Sequence, residues 1–139
     1  MQSFLFFSLL LVSSLYATGQ NFTPQAKICH MDRMLNGTKD IHVKESMRHI
    51  SLFGDYRVVV GEKKLIYTPT DDGAQEALLV DIKSDTRYYD GILNPHKLFF
   101  KTTLNQNTFV LHIGSNSSMY FTCIPTTITK EELKKLISK

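Results

Sequence analysis

Tryptophan is absent from this chain and cysteine is scarce. The 139 residues include no tryptophan, two cysteines and four prolines. Two cysteines cannot supply the dense disulfide framework on which many small secreted proteins depend. The fold must therefore rest on one modest apolar core, which a single domain of this length can form.

A strong excess of charge of one sign is also missing. Sixteen basic and thirteen acidic residues give a formal net charge of +3. The basic residues cluster only over 130–139, where Glu131 and Glu132 interrupt them. Nucleic-acid and heparin surfaces usually contain about five or more like charges without such interruption. The charge pattern therefore favours a solvated helix face and predicts no nucleic-acid partner.

Long apolar runs are absent except at the N-terminus. Residues 4–15 are apolar and uncharged, and Ala17 and Gly19 then place small residues where signal peptidase reads them. About 12 such residues are too few to cross a bilayer, which needs about 20. We therefore predict a secretory signal peptide over residues 1–19, no membrane span, and a single secreted, extracellular β-rich domain over residues 20–139.

Recognised catalytic and cofactor motifs are lacking as well. Neither a G-x-S-x-G sequence nor a P-loop occurs. His42 and His49 are the only pair with a spacing that suits a metal site on a helix, and surface histidines explain them better. His112 lies near Lys101 on predicted strands, and with a second histidine it could support acid–base hydrolysis. We expect a non-enzymatic protein without metal or cofactor, and keep a small secreted hydrolase using His112 as the third alternative.

The cysteines that are present fit an exported protein. Cys29 and Cys123 form an even count in a chain sent to an oxidising compartment, which predicts one intramolecular disulfide. The two cysteines are 94 positions apart, and closing a loop of that length contributes about 4 to 5 kcal/mol in the chain-entropy model. Free thiols or an intermolecular link are the alternative.

Three N-x-S/T patterns point to the same compartment. They begin at Asn21, Asn36 and Asn116 and are potential glycosylation sites. A glycan requires its asparagine at the surface. Asn36-Gly37 and the segment 114–116 accordingly have the composition of turns.

The middle of the chain alternates short apolar runs with turn residues, which is a β pattern. Tyr56–Val60 and Lys64–Thr68 flank a turn at 61–63 and form the clearest predicted hairpin. Further runs bring the expected total to about seven or eight antiparallel strands. The predicted fold is mainly β, a meander forming a small barrel or a sandwich. Alternation leaves both open because it does not show which strands are neighbours.

The strongest local signal lies near the C-terminus. Thr129 and Glu132 form a capping box, and Ile128 and Leu133 occupy the positions of a hydrophobic staple. We predict a helix from about Lys130 that docks against the outside of the sheet. The stretch 40–53 is ambiguous, and a short helix or irregular structure is favoured there.

A signal peptide, about eight short antiparallel strands and a terminal helix resemble a lipocalin-like (calycin) barrel. The resemblance is topological and covers roughly residues 55–139. Gly54-Asp55-Tyr56 is an imperfect counterpart of the Gly-x-Trp motif of that family, and the missing tryptophan departs from it. Such barrels hold small ligands. The resemblance thus implies a carrier or scavenger of a small hydrophobic molecule, with a pocket formed by Tyr56, Val58, Val60, Leu65, Tyr67, Leu78, Val80, Phe109, Leu111 and Phe121.

A secreted module that binds an extracellular protein, such as a receptor or a host factor, is the second hypothesis. Its function would lie on exposed loops. An enclosed apolar cavity would favour a small ligand, whereas a packed core with an exposed apolar patch would favour a protein partner.

Overall fold

The computed structural model describes residues 22–70, 72–93 and 98–137. The predicted signal peptide and Asn21 lie outside these residues. The described part of the chain contains nine strands and one α-helix: β1 Gln25–Asn36, β2 Lys39–His42, β3 Tyr56–Val60, β4 Lys64–Thr68, β5 Gln75–Lys83, β6 Thr86–Leu93, β7 Leu98–Asn105, β8 Thr108–Ile113, β9 Ser117–Thr126 and α1 Lys130–Ile137. No helix in these residues is long and apolar enough to span a bilayer.

The sheet closes into an eight-stranded antiparallel barrel. Consecutive strands pair from β3 to β9, and β1 pairs with both β3 and β9. Strand β1 can join both edges because it is 12 residues long, and it carries a bulge near Asp32. Strand β2 pairs with the end of β1 outside this ring. The mainly β meander is confirmed, and it is a barrel and not a sandwich.

The predicted β3–β4 hairpin is confirmed. Residues 57–60 pair with residues 65–68, and the Gly61 amide donates to the Lys64 carbonyl at 2.8 Å. The two predicted turns carrying Gly37 and Gly114 are also present, and both glycines have a φ of 62°. A positive φ of this kind is readily adopted only by glycine.

The barrel interior is an apolar core, and the disulfide lies in its wall. Cys29 and Cys123 are bonded and face each other across β1 and β9. The single intramolecular disulfide is thereby confirmed. Eight of the ten residues predicted to face a pocket are buried in this core: Tyr56, Val58, Val60, Leu65, Tyr67, Phe109, Leu111 and Phe121.

The other two, Leu78 and Val80, do not face the interior, and their prediction as inward residues is wrong. Their exposed fractions are 62% and 58%, whereas Ala77 is buried and Leu79 packs against the core. Several apolar residues follow one another at 77–80, so either alternate set could have faced inward. A register shift between Leu79 and Asp81 then interrupts the alternation within β5.

Helix α1 docks against the outside of the barrel, as predicted. The Glu132 amide donates to Thr129 Oγ1 at 3.1 Å and Glu132 Oε1 accepts from the Thr129 amide at 2.9 Å, so the capping box is present. The helix contacts β3 and β4. A side chain at Gly61 would lie 3.0 Å from Leu136, so glycine permits this close approach. Val59 and Ile66 are consequently buried although they point away from the interior.

The segment 37–55 covers one end of the barrel, which we call the upper end. Predicted as a short helix or irregular structure, it contains β2 and two 3-10 turns, Glu45–Met47 and Ser51–Phe53. Because it joins the end of β1 to the start of β3, it lies beside the connections 69–74 and 114–116. The residues 22–24 and the turns 61–63, 84–85 and 106–107 form the opposite, lower end.

Candidate functional site

Aromatic rings fill the middle of the barrel. Tyr56 stacks on Tyr67 with ring centroids 5.8 Å apart and contacts Phe121 at 4.6 Å. Phe109 lies 5.4 Å from Phe121 and 6.0 Å from Tyr67. Such tilted and offset pairs contribute about 0.5 to 1.5 kcal/mol each beyond the area that they bury. The inward residues predicted from alternation are therefore brought together as a packed cluster.

Methionines gather in the upper half of the interior. Met31 and Met34 are buried, and Met119 lies directly opposite Met34 on β9. Met47 reaches the same core from the covering segment 37–55. The Tyr56 hydroxyl lies 3.7 Å from the sulfur of Met119. These four side chains, together with Tyr56, are hereafter the methionine cluster.

A solvent-open cleft lies beside the methionine cluster. Its volume is about 270 Å³. This is slightly less than roughly 300 Å³, the smallest volume that is typical of small-molecule pockets. It is lined by Ser51, Leu52, Tyr56, Pro69 and Asp72. Burial, with a smaller effect of Asp72, raises the pKa of Tyr56, and burial likewise raises the pKa of Tyr67. Burial therefore favours the neutral form of both phenols still further.

The covering segment 37–55 is attached to the barrel mainly at its ends. The Val43 amide donates to the Asp32 carbonyl at 2.9 Å, and the Thr70 hydroxyl donates to the Asp55 carbonyl at 2.7 Å. Between these points, over residues 44–54, the described loop and turn backbone bonds remain within the segment. Its middle is held by packing of Met47 and Phe53 and by one bond from Arg48 to the Met31 carbonyl. A segment attached in this way can open locally without unfolding the barrel.

His112 lies on the outer face of the barrel. Lys101 and Ser118 lie directly opposite it on the two neighbouring strands, and His112 Nδ1 is 2.8 Å from Ser118 Oγ. The neighbour Leu111 points inward. None of the described clefts includes His112. The predicted proximity of Lys101 and His112 is confirmed. Both residues lie on the outer surface of the sheet.

The histidines considered for a metal site are both exposed. His42 Nε2 is 3.7 Å from Asp40 Oδ1, and His49 follows the first 3-10 turn of the covering segment. Among the described residues no three potential metal ligands come together.

Asn36 and Asn116 are also exposed, and the Gly37 amide donates to the Asn116 carbonyl at 2.9 Å. These two potential glycosylation sites therefore lie side by side at the upper end.

The methionine cluster was not predicted from the sequence. Met119 alternates with Phe121 and Cys123, so its inward direction could have been read from that pattern. Met31 likewise lies two residues after Cys29, so the same alternation would place it on the inward face. The bulge near Asp32 shifts Met34 out of register, and no local pattern could have placed Met47 against the core.

No protein-family model, no curated protein and no solved structure matches this chain. The geometry of the barrel is therefore the basis for any functional inference.

Proposed function

We propose that this chain is a secreted, non-enzymatic, lipocalin-like carrier or scavenger of one small hydrophobic molecule. The ligand would occupy the upper half of the barrel, beneath the covering segment 37–55. The observation that carries the proposal is the methionine cluster, formed at the one end of the barrel that a sparsely attached segment covers.

A ligand can occupy this interior only where side chains move aside. An eight-stranded barrel is just wide enough to be filled by side chains or to hold one small ligand. The aromatic rings fill the middle, so a ligand needs side chains that can rearrange. Methionine is unbranched and polarisable, and it repacks around apolar groups more easily than an aromatic ring does. Displacement of Met47 with its segment would extend the existing 270 Å³ cleft into the interior.

Secretion is part of the same proposal. A disulfide is typical of proteins in oxidising compartments. The exposed positions of Asn36 and Asn116 suit glycosylation. Glycans there would flank the upper end and leave the outer wall of the barrel uncovered.

The test is binding of N-phenyl-1-naphthylamine, an uncharged dye that fluoresces in apolar surroundings. We expect saturable binding of about one dye per chain, as for a single interior site. Met119→Ala enlarges the interior and should tighten binding, because an apolar cavity accepts apolar ligands. Met34→Phe fills the same space and should weaken binding.

Opposite effects of these two variants would place the dye inside the barrel. Leu78→Ser on the outer wall is the control and should leave binding unchanged, and melting curves verify that each variant is folded. Absence of dye binding, together with a ligand-free mass in native mass spectrometry of protein from its natural source, would overturn the carrier proposal.

A protein-binding module is the second candidate, and the exposed residues Leu78 and Val80 favour it. Both lie on the outer face of β5 and are more than half exposed, and exposed apolar patches commonly mark interaction sites. If this candidate is correct, the Leu78→Ser variant should lose binding to cell surfaces or extracellular proteins that the wild type shows. Unchanged binding would show that the surface around Leu78 is not the interaction site.

A further inference from the structure

Two cationic side chains line the same cleft at the lower end of the barrel. Lys27 lies opposite the inward residue Val58, and its exposed fraction is only 7%. Arg87, at the start of β6, lies opposite the buried Leu104 of β7. Both line a cleft of about 130 Å³, and Phe22 is among its other lining residues. This lower cleft is separated from the methionine cluster by the packed rings of the core.

The described acceptors of these two cations are uncharged. Lys27 Nζ donates to the Gln106 carbonyl. Arg87 donates from Nε to the Tyr89 hydroxyl at 2.8 Å and from Nη2 to the Glu62 carbonyl at 2.6 Å. Within the described part of the chain, neither cation has a carboxylate within ion-pair distance. A buried cation without an anionic partner is unfavourable, and burial indeed lowers the pKa of Lys27.

Two aromatic rings lie beside the guanidinium of Arg87. Its central carbon lies 4.7 Å from the ring centroid of Phe22 and 6.0 Å from that of Tyr89. Such cation–π contacts favour a defined plane for the group. In the described residues its Nη1 donates to no acceptor. A planar donor group held in this way suits the oxygens of a carboxylate or phosphate.

We propose that the lower cleft binds a small oxyanion, a carboxylate or phosphate group, between Lys27 and Arg87. A volume of about 130 Å³ corresponds to roughly four waters at about 30 Å³ each, enough for such a group. Asp85 also lines the cleft. It is exposed and pairs with neither cation, so it reduces the positive potential without neutralising the site. The site lies opposite the proposed ligand pocket and does not depend on it.

The test is isothermal titration with inorganic phosphate, compared with sodium chloride at equal ionic strength. We expect saturable phosphate binding that Lys27→Met weakens at least about tenfold, since hydrogen bonds to charged groups contribute about 1.5 to 3 kcal/mol. Methionine keeps the length and burial of the side chain. Arg87 is left intact because it also braces the turn at Glu62.

Two further variants sharpen the result. Asp85→Asn removes the only carboxylate among the described cleft residues and should tighten binding, whereas Lys134→Met on the exposed face of α1 should change nothing. Phosphate that binds no better than chloride would overturn the proposal. So would a Lys27→Met variant that binds phosphate like the wild type.

Binding of octyl phosphate distinguishes two possible ligands of the site, a free anion and the anionic head group of a larger molecule. Tighter binding than inorganic phosphate, lost in Lys27→Met, would identify a head group with an apolar tail, whereas equal binding would identify a free anion. Either result supports the site. Because N-phenyl-1-naphthylamine carries no charge, its binding should be unaffected by Lys27→Met, so failure of this site is distinguishable from failure of the carrier proposal.

Discussion

The ion pair between Arg57 and Glu132 ties the terminal helix to the barrel. Arg57 Nε and Nη2 contact the two oxygens of Glu132 at 2.5 and 2.8 Å, and Nη2 also donates to the Thr127 carbonyl at 2.8 Å. Glu132 at the same time accepts from the Thr129 amide in the capping box. The Arg57 hydrogen bond in particular, helped by the backbone of Thr129, lowers the pKa of Glu132 to about 2.

Glu132→Gln should reduce both stability and its dependence on pH. The carboxylate has a lower pKa when folded than its ordinary 4.5, so it stabilises the fold above about pH 4.5, and this is lost as the pH falls towards about 2. We expect a loss of about 1 kcal/mol at neutral pH, the upper range for a partly exposed pair. Urea unfolding between pH 7 and 2 measures it.

Glu131→Gln is the matched control for this prediction. Glu131 lies in the same helical turn and is exposed. Its loss should alter stability by less than about 0.5 kcal/mol, as for most surface changes. Equal pH profiles for wild type and Glu132→Gln would contradict the role of the Arg57 pair.

At the level of single elements, the predictions succeeded where the signal is local. The capping box of Thr129 and Glu132 and the turn at 61–63 are each encoded within a few residues, and both are present. Strand β5 is the opposite case. Its run of adjacent apolar residues fits either face, and only pairing with β4 and β6 decides that Ala77 and Leu79 point inward.

The two faces of the sheet can be compared by alanine substitution. Leu65→Ala should destabilise the fold by about 2 to 5 kcal/mol because Leu65 is fully buried in the barrel. Leu78→Ala, on the neighbouring strand, should change stability by less than about 0.5 kcal/mol because Leu78 is exposed. Urea unfolding measures both free energies. A large effect at Leu78 would show that its side chain is covered.

The covering segment 37–55 should open locally more readily than the strands of the barrel. Over residues 44–54, its described loop and turn backbone bonds are local and much of it is exposed. Amides in such segments exchange through local opening, whereas those in core strands require global unfolding. Hydrogen exchange with mass spectrometry should therefore show amides of 45–54 exchanging at least about 100-fold faster than those of β8. Equal protection would contradict an opening segment.

At the level of the whole molecule, alternation predicted the strands, and only the predicted disulfide linked the first strand to the last. A crosslink between Cys29 and Cys123 brings β1 near β9, but it does not show that the two strands pair and close a barrel. The seam between β1 and β9 joins the first and last strands, and hydrophobic alternation carries no information about such distant neighbours. Strand β1 itself carries the bulge near Asp32 and the inward cation Lys27, which hide its alternation. For the same reason neither the methionine cluster nor the lower cleft was predicted. Both are assembled from residues far apart in the chain.

The disulfide between Cys29 and Cys123 lies in that seam, so its removal tests how the barrel stays closed. The double substitution Cys29→Ala and Cys123→Ala should lower the free energy of unfolding by about 2 to 5 kcal/mol, because the unfolded chain regains the freedom that the crosslink removes. The urea m-value should rise, since an unlinked chain exposes more surface when it unfolds. A loss of stability with an unchanged m-value would instead place the effect in the folded seam, and unchanged stability would show that strand pairing alone closes the barrel.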